Sequence, residues 1–346
     1  MSQLGNAGLP PNSGDNLRQG EEFMTKPCFA GTASTIVLGL MLAACGGAGG
    51  GIASTPTPSP VPAPAPAPAP GPTYKTLAQL TGDHTYQTAG ITTSFGPPPP
   101  FALGLLNSNS LDFANGINIV FNAADNTYTI TDAQGSHITF TSAEIIATDP
   151  ATNAVRYRIN FNTGPLSQAD FTRFVPRVDG VPLSYTLMGI WLPGYSQTYD
   201  LIVGGIPTQA GDLPKSGSAN YKAAVVFGYA LTNGPDPISQ PVISYNLVDG
   251  GSTATFLANF SADTVQTTIG LIGKDSMGSI KDFGTLTGDG TISSTDPTFS
   301  GTLAQAGDSG AFSGTLLGPQ AAEMGYGWYF DSPDFTAVGL VAGKKN

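Results

Sequence analysis

Charge is scarce in this chain. Only 11% of its 346 residues are charged, with 13 Lys and Arg against 24 Asp and Glu, and the net charge is -11. No run of Lys or Arg stands out, and an acidic chain repels a phosphate backbone, so nucleic acid is excluded as a partner. Histidine is scarcer still. His84 and His137 lie far apart in sequence and make neither a zinc-protease pair nor a multi-His site. Gly307, Asp308, Ser309 and Gly310 imitate a serine-protease nucleophile motif, but neither histidine carries a partner motif, and a turn is the better reading. The glycine-rich stretch 284–290 opens no helix and lacks a Gly-Lys-Ser/Thr, and the scattered Asp residues lack EF-hand spacing. No catalytic residue, metal ligand or cofactor site emerges, so the chain reads as non-enzymatic. Long amphipathic helical patterns are missing as well. What is abundant is glycine (45) and proline (29), a composition that argues for β structure plus a linker.

The linker is easy to place. Lys26 precedes an apolar run over 30–41, too short to span a bilayer comfortably, and small residues follow: a signal-peptide pattern at 24–44. It ends in Leu42, Ala43, Ala44, Cys45 and Gly46, which resembles the lipobox of bacterial lipoproteins. That resemblance implies cleavage before Cys45 and acylation of its thiol with chains such as palmitate, two or more of which hold a protein at a membrane. With Cys28 then removed, no disulfide is possible in the mature chain. Residues 1–23 are polar, contain Glu21 and Glu22, and are expected to be a leader outside the true start at Met24. From 45 to 73 the chain is Gly-rich and then a Pro-Ala repeat, a semi-rigid polyproline-type spacer.

From 211 to 346 the pattern is one of short strands at regular spacing. Eight are expected, at 221–229, 253–260, 264–272, 284–292, 298–303, 311–317, 326–330 and 335–341. Tyr221, Ala223, Val225, Phe227 and Tyr229 share one face at a period of two, as do Phe256, Ala258 and Phe260. Tyr326, Trp328 and Phe330 do the same and must cover a core. Before them Gly318 and Pro319 open a short turn that Gly325 is expected to end in the left-handed conformation. Antiparallel closure into a barrel removes free edges, so this half is expected to be stable alone.

The motif Gly-Pro-x-Ala-x-Glu-Met-Gly over 318–325, its aromatic strand, and the final strand running to Lys344 and Lys345 resemble the C-terminal barrel of transferrin-binding protein B-like surface lipoproteins. Pro-x-Ser-Gly-x-Ala-x-Tyr over 214–221 is similar to the lead-in to that barrel. The resemblance implies an all-β fold, with a β-rich handle at 74–210 followed by an eight-stranded antiparallel, lipocalin-like barrel. It also implies an outer-membrane, lipid-anchored accessory that captures an iron- or haem-bearing protein partner for a membrane receptor, with no cofactor of its own. A lipocalin-like carrier of a small apolar ligand, and a structural or adhesive surface lipoprotein, stand as alternatives.

The handle shows looser alternation. Strands are expected at 116–121 and 127–131, joined by a hairpin at Ala124, Asp125 and Asn126, then at 137–140, 155–159, 185–192 and 199–204. Ser167 to Asp170 carry a helix-cap pattern, enough for one or two turns. Phe95 and Phe101 flank a stiff run of four prolines, and Trp191 and Tyr195 flank a probable turn. Rigid aromatic loops suit protein docking, so these four are the candidate partner contacts beside the lipidation site at Cys45. The competing reading is that the rings cap the handle core.

Overall fold

The computed structural model describes residues 72–95, 105–113, 116–133, 135–161, 168–194, 198–232 and 242–346. All of these belong to one compact unit, 67–346. Cys45, Phe101 and Tyr195 lie outside the described residues, as does the side chain of Phe95.

In chain order the first strands are β1 (His84–Gln87), β2 (Ala89–Phe95), β3 (Leu105–Leu111), β4 (Asn118–Asn122), β5 (Thr127–Thr131), β6 (His137–Phe140) and β7 (Ile145–Asp149). They continue with β8 (Ala154–Asn160), β9 (Gln168–Phe174), β10 (Arg177–Val178), β11 (Val181–Pro182), β12 (Thr186–Leu192) and β13 (Thr198–Gly205). The second half holds β14 (Ser218–Thr232), β15 (Ile243–Asn246), the helical turn α1 (Leu247–Gly250), β16 (Thr253–Asn259) and β17 (Thr264–Lys274). It ends with β18 (Ile280–Ile292), β19 (Thr298–Gln305), β20 (Asp308–Leu317), β21 (Glu323–Asp331) and β22 (Thr336–Lys345).

The molecule has three layers. A four-stranded sheet, β1-β4-β5-β6, faces a seven-stranded sheet, β3-β2-β13-β12-β9-β8-β7. Between them Ile119, Tyr128, Ile130, Phe140, Phe171, Trp191 and Ile202 form one apolar core. The other face of the seven-stranded sheet lies on the third layer, the barrel, where Met188, Leu201 and Val203 meet Leu317, Val338, Leu340 and Ala342. This double burial explains the uninterrupted run Leu201, Ile202, Val203, Gly204, Gly205: over these residues β13 alternates between two cores and has no water face.

The barrel closes as β14-β16-β17-β18-β19-β20-β21-β22 with β22 pairing back to β14, and β15 adds a short flap on the end of β14. Rings fill its interior. Phe256 lies 4.9 Å from Phe299 and 5.8 Å from Tyr326, and Phe312 lies 5.6 Å from Tyr326. The Tyr326 hydroxyl shares a hydrogen bond of 2.6 Å with the Thr267 hydroxyl. Such packing argues against an open lumen for a small ligand.

Each barrel strand expected from the sequence is present, and the turn chemistry explains the hairpins. Ala306 (φ 53) and Gly307 (φ 100) make the two-residue turn between β19 and β20. In the handle, Asn122 Oδ1 accepts from the backbone N–H of Ala124 and Asp125, and Asn126 takes φ 52, closing the β4–β5 hairpin.

Four expectations need correction. Of the helix-cap segment Ser167 to Asp170, Ser167 lies outside the described residues and Gln168 to Asp170 open strand β9, not a helix, with Ala169 paired to β8 and Phe171 paired to both β8 and β12. Second, Gly325 is extended within β21. The left-handed positions of the preceding turn are Gly318 (φ 71), Gln320 (φ 49) and Ala321 (φ 56). Gly325 is needed for a different reason: a Cβ there would sit 2.7 Å from Val203 Cγ1 and 2.8 Å from Met188 Cε, where the seven-stranded sheet presses on the barrel. Third, the alternation along β14 is broken. A bulge between Val225 and Phe227 places Tyr221 and Val225 inside the barrel but turns Phe227 and Tyr229 to the outside. Fourth, the barrel does not stand apart from the handle but shares a buried face with it. Its wall over β20 to β22 lies under the seven-stranded sheet, and Ser313 Oγ donates to the Leu111 carbonyl at 2.7 Å.

Candidate partner-binding site

The bulge in β14 builds the site. One extra residue, Val226, reverses which side chains face out, so Phe227, Tyr229 and Leu231 line the barrel's exterior beside Thr336 and Val338 of β22. Across from them stand Tyr199 and Leu201 of β13, and Ser244 of β15 completes an open cleft of about 350 Å³. The Phe227 and Tyr229 rings meet edge to face at 5.3 Å, which fixes both without a hydrogen bond between them. Tyr229 is 39% exposed and Tyr199 37%.

β15 divides this cleft from the adjacent end of the barrel. Its Ile243 and Tyr245 border a second hollow with Lys281, Phe283 and Phe335. There Tyr245 and Phe283 meet at 5.2 Å, with the Lys281 ammonium 5.1 Å from the Phe283 ring. The neighbouring β17–β18 hairpin carries Met277, 91% exposed, and Ile280, 59% exposed. Exposed apolar side chains of this size gathered at one end of a folded unit are a mark of a recognition surface.

The chain enters the described unit at the other end. The Tyr74 hydroxyl accepts from Gln209 N–H at 2.9 Å, and Leu77 N–H donates to the Ser184 carbonyl at 2.8 Å, just before β12 begins. Along β13 the separation from Tyr199 to Gly205 is six residues, or about 20 Å at strand rise. The apolar cleft and the point of chain entry therefore sit at opposite poles.

Buried charge near the cleft pole is confined to the handle. Asp170 is gripped by Arg158 Nε at 2.6 Å and Arg156 Nη2 at 2.5 Å. Burial works to raise its pKa, but the two guanidinium partners outweigh it and hold the carboxyl below the usual range. Asp200, opposite Trp191, is only 6% exposed and has no cationic partner among the described residues. Burial pushes its pKa up to about 6 against the pull of the Thr92 hydroxyl, with a further push from Asp132.

The sequence-nominated residues fare differently. Phe95 ends β2 beside the start of β13, since Ser94 pairs with Thr198, so it belongs to the cleft pole. Trp191 does not serve as a partner contact. It is fully buried between the two handle sheets with Phe171 and Ile202, and no part of the ring is left for docking. Phe227 and Tyr229, assigned to the barrel interior from their alternation, turn out to line the outer cleft, Phe227 half-buried and Tyr229 exposed. No signal in the sequence marks the bulge that turns them. The protease-like motif is the β19–β20 hairpin, and both histidines sit in the four-stranded sheet, remote in fold from Ser309. Among the described residues no cluster of His, Cys, Asp and Glu could hold a metal ion, and no helix is long and apolar enough to cross a membrane.

No family model and no curated protein matches the chain. Among solved structures it is similar to isotype 1 transferrin binding protein B from serogroup B Neisseria meningitidis, at 16% identity and a TM-score of 0.40 over 77% of this chain. It is also similar to the apo haemoglobin receptor HpuA of Kingella denitrificans, at 15% identity and a TM-score of 0.35, covering 79% of this chain and 89% of that one. The N-lobe of lactoferrin binding protein B of Moraxella bovis matches at 13% identity with a TM-score of 0.30, over 77% of this chain and 100% of that one. The chain spans 44% of the length of the first of these. The fold described above rests on its own strand pairing.

Proposed function

We propose that this protein is a non-enzymatic, lipid-anchored outer-membrane or surface lipoprotein that binds another protein through the pole formed by the β14 bulge. The observation that carries this reading is the open apolar cleft at Tyr199, Phe227 and Tyr229, flanked by exposed Ile243, Met277 and Ile280 and opposite the point where the chain enters. Acyl chains on Cys45 and the Pro-Ala spacer would tether the molecule through the end at which the chain enters, the end remote from the cleft. The resemblance of the barrel motifs makes an iron- or haem-bearing host protein the first partner class to try. The filled barrel speaks against the small-ligand carrier.

Two measurements test the reading. Cys45→Ser should move the protein from the membrane to the soluble fraction; retention with membranes overturns the anchor. The full chain carrying Cys45→Ser should then bind one of transferrin, lactoferrin or haemoglobin in a biosensor assay. Tyr229→Ala should weaken that binding by about 30-fold, the effect of losing a central aromatic contact. No binding to any of the three, or binding indifferent to Tyr229→Ala and Phe227→Ala, defeats the proposed surface or partner class.

A further inference from the structure

A second cavity lies in the handle, between the four-stranded and seven-stranded sheets at the pole where the chain enters, with a volume of about 660 Å³. Arg173 projects into it from β9. Its guanidinium rests 4.8 Å above the Tyr128 ring, and its Nε reaches the Tyr157 hydroxyl only at 3.4 Å. Unlike Arg156 and Arg158, which share Asp170, Arg173 has no carboxylate partner among the described residues. Asp149 on the rim is engaged elsewhere, accepting from Ala151 N–H at 2.9 Å and the Thr152 hydroxyl at 2.6 Å.

Two phenols converge on the same space. Tyr86 is 8% exposed and Tyr128 9%, and both line the cavity. Neither hydroxyl is hydrogen-bonded within the described residues, yet neither is sealed from solvent. The Arg173 guanidinium lies over the Tyr128 ring, and all three side chains line the one cavity. Each ring is held in the handle core while its hydroxyl still reaches solvent, so a bound anion can take the place of water on it. The remaining wall is mixed: Leu77, Val155 and Leu187 are apolar, while Thr148, Asn153 and Ser184 are polar.

We propose that this cavity is a binding site for a small aliphatic carboxylate, its anionic head on Arg173, Tyr86 and Tyr128 and its tail along Leu77, Val155 and Leu187. Among the described residues lining the cavity Arg173 is the one cation, a match for one negative charge, which favours a carboxylate over a phosphate. The volume lies within the ordinary range for small-molecule pockets.

Decanoate is the probe, titrated into the full chain carrying Cys45→Ser and followed by calorimetry. Decyltrimethylammonium supplies the same tail with the opposite charge, and acetate the same charge without the tail. Decanoate should bind while neither control competes. Arg173→Gln should weaken it about tenfold or more, the loss of a charge-assisted contact. The double variant Tyr86→Phe, Tyr128→Phe keeps both rings in the core, so it should lower the affinity several-fold and leave the melting midpoint in place. No decanoate binding up to about 1 mM, equal binding of the ammonium probe, or decanoate affinity unchanged in the phenylalanine variant overturns the site. The cavity is remote from Tyr229, so its failure leaves the partner surface standing.

Discussion

The carboxylate of Glu323, on barrel strand β21, accepts a hydrogen bond from the Thr186 hydroxyl at 2.9 Å, across 137 residues of sequence. The same group accepts from Ser184 N–H at 2.7 Å and Tyr185 N–H at 2.9 Å, and Glu323 is 3% exposed. It is a charge buried at the joint between handle and barrel, satisfied wholly by the start of β12. Replacing it with Leu would orphan two part-buried backbone donors and a buried hydroxyl. Glu323→Leu should cost about 3 kcal/mol in urea unfolding, with handle and barrel still melting together. A loss below about 0.5 kcal/mol would show that the joint does not depend on it.

Gly325 tests the contact between layers. In Gly325→Val the new side chain meets Val203 and Met188 rather than a strained backbone, so the loss should be about 1–3 kcal/mol from overpacking. Trp328 faces the barrel interior and Trp191 the handle core, both fully buried, so emission should stay blue while the midpoint falls. A red shift in the folded protein would mean that β21 itself has changed register.

The fragment 211–346 should not behave as a clean monomer. Without the handle it exposes Leu317, Val338, Leu340 and Ala342 and leaves Glu323 without its donors. Dye binding to exposed apolar surface and self-association in sedimentation are expected. A monomer that melts cooperatively without binding dye would restore the barrel as a self-sufficient unit.

Asp200 gives a pH dependence. Its folded pKa of about 6 is higher than its ordinary value of 3.8, so between these the folded state holds the extra proton. Its contribution to stability is therefore fully present below about pH 4 and is lost as pH rises through about 6. Asp200→Asn should be the more stable protein at pH 8, by up to about 3 kcal/mol, and the difference should vanish near pH 4. Equal stability of the two proteins at pH 8 would show that the buried carboxylate carries no penalty.

Local pattern determined much of this protein. The alternation of Tyr326, Trp328 and Phe330, the hairpin at Ala124 to Asn126 and the Ala306–Gly307 turn follow from a period of two and from residues that accept left-handed backbone, and all are found. The all-β class and the eight strands of the barrel follow from the same rules. What the tertiary structure decided concerns which face of a strand meets what. β13 has two buried faces, so its apolar run shows no alternation to read. Gly325 is small because a second sheet lies on it, a fact stored in Val203 and Met188 more than a hundred residues earlier. The bulge at Val226 leaves no mark in composition, yet by inserting one residue it moves Phe227 and Tyr229 from the core to the cleft. Arg173 likewise looks like any strand arginine until the fold gives both carboxylate-bound neighbours their partner and leaves it none. Period and turn chemistry act between adjacent residues and can be read along the chain, whereas layer contacts and strand register depend on partners that only the folded molecule brings together.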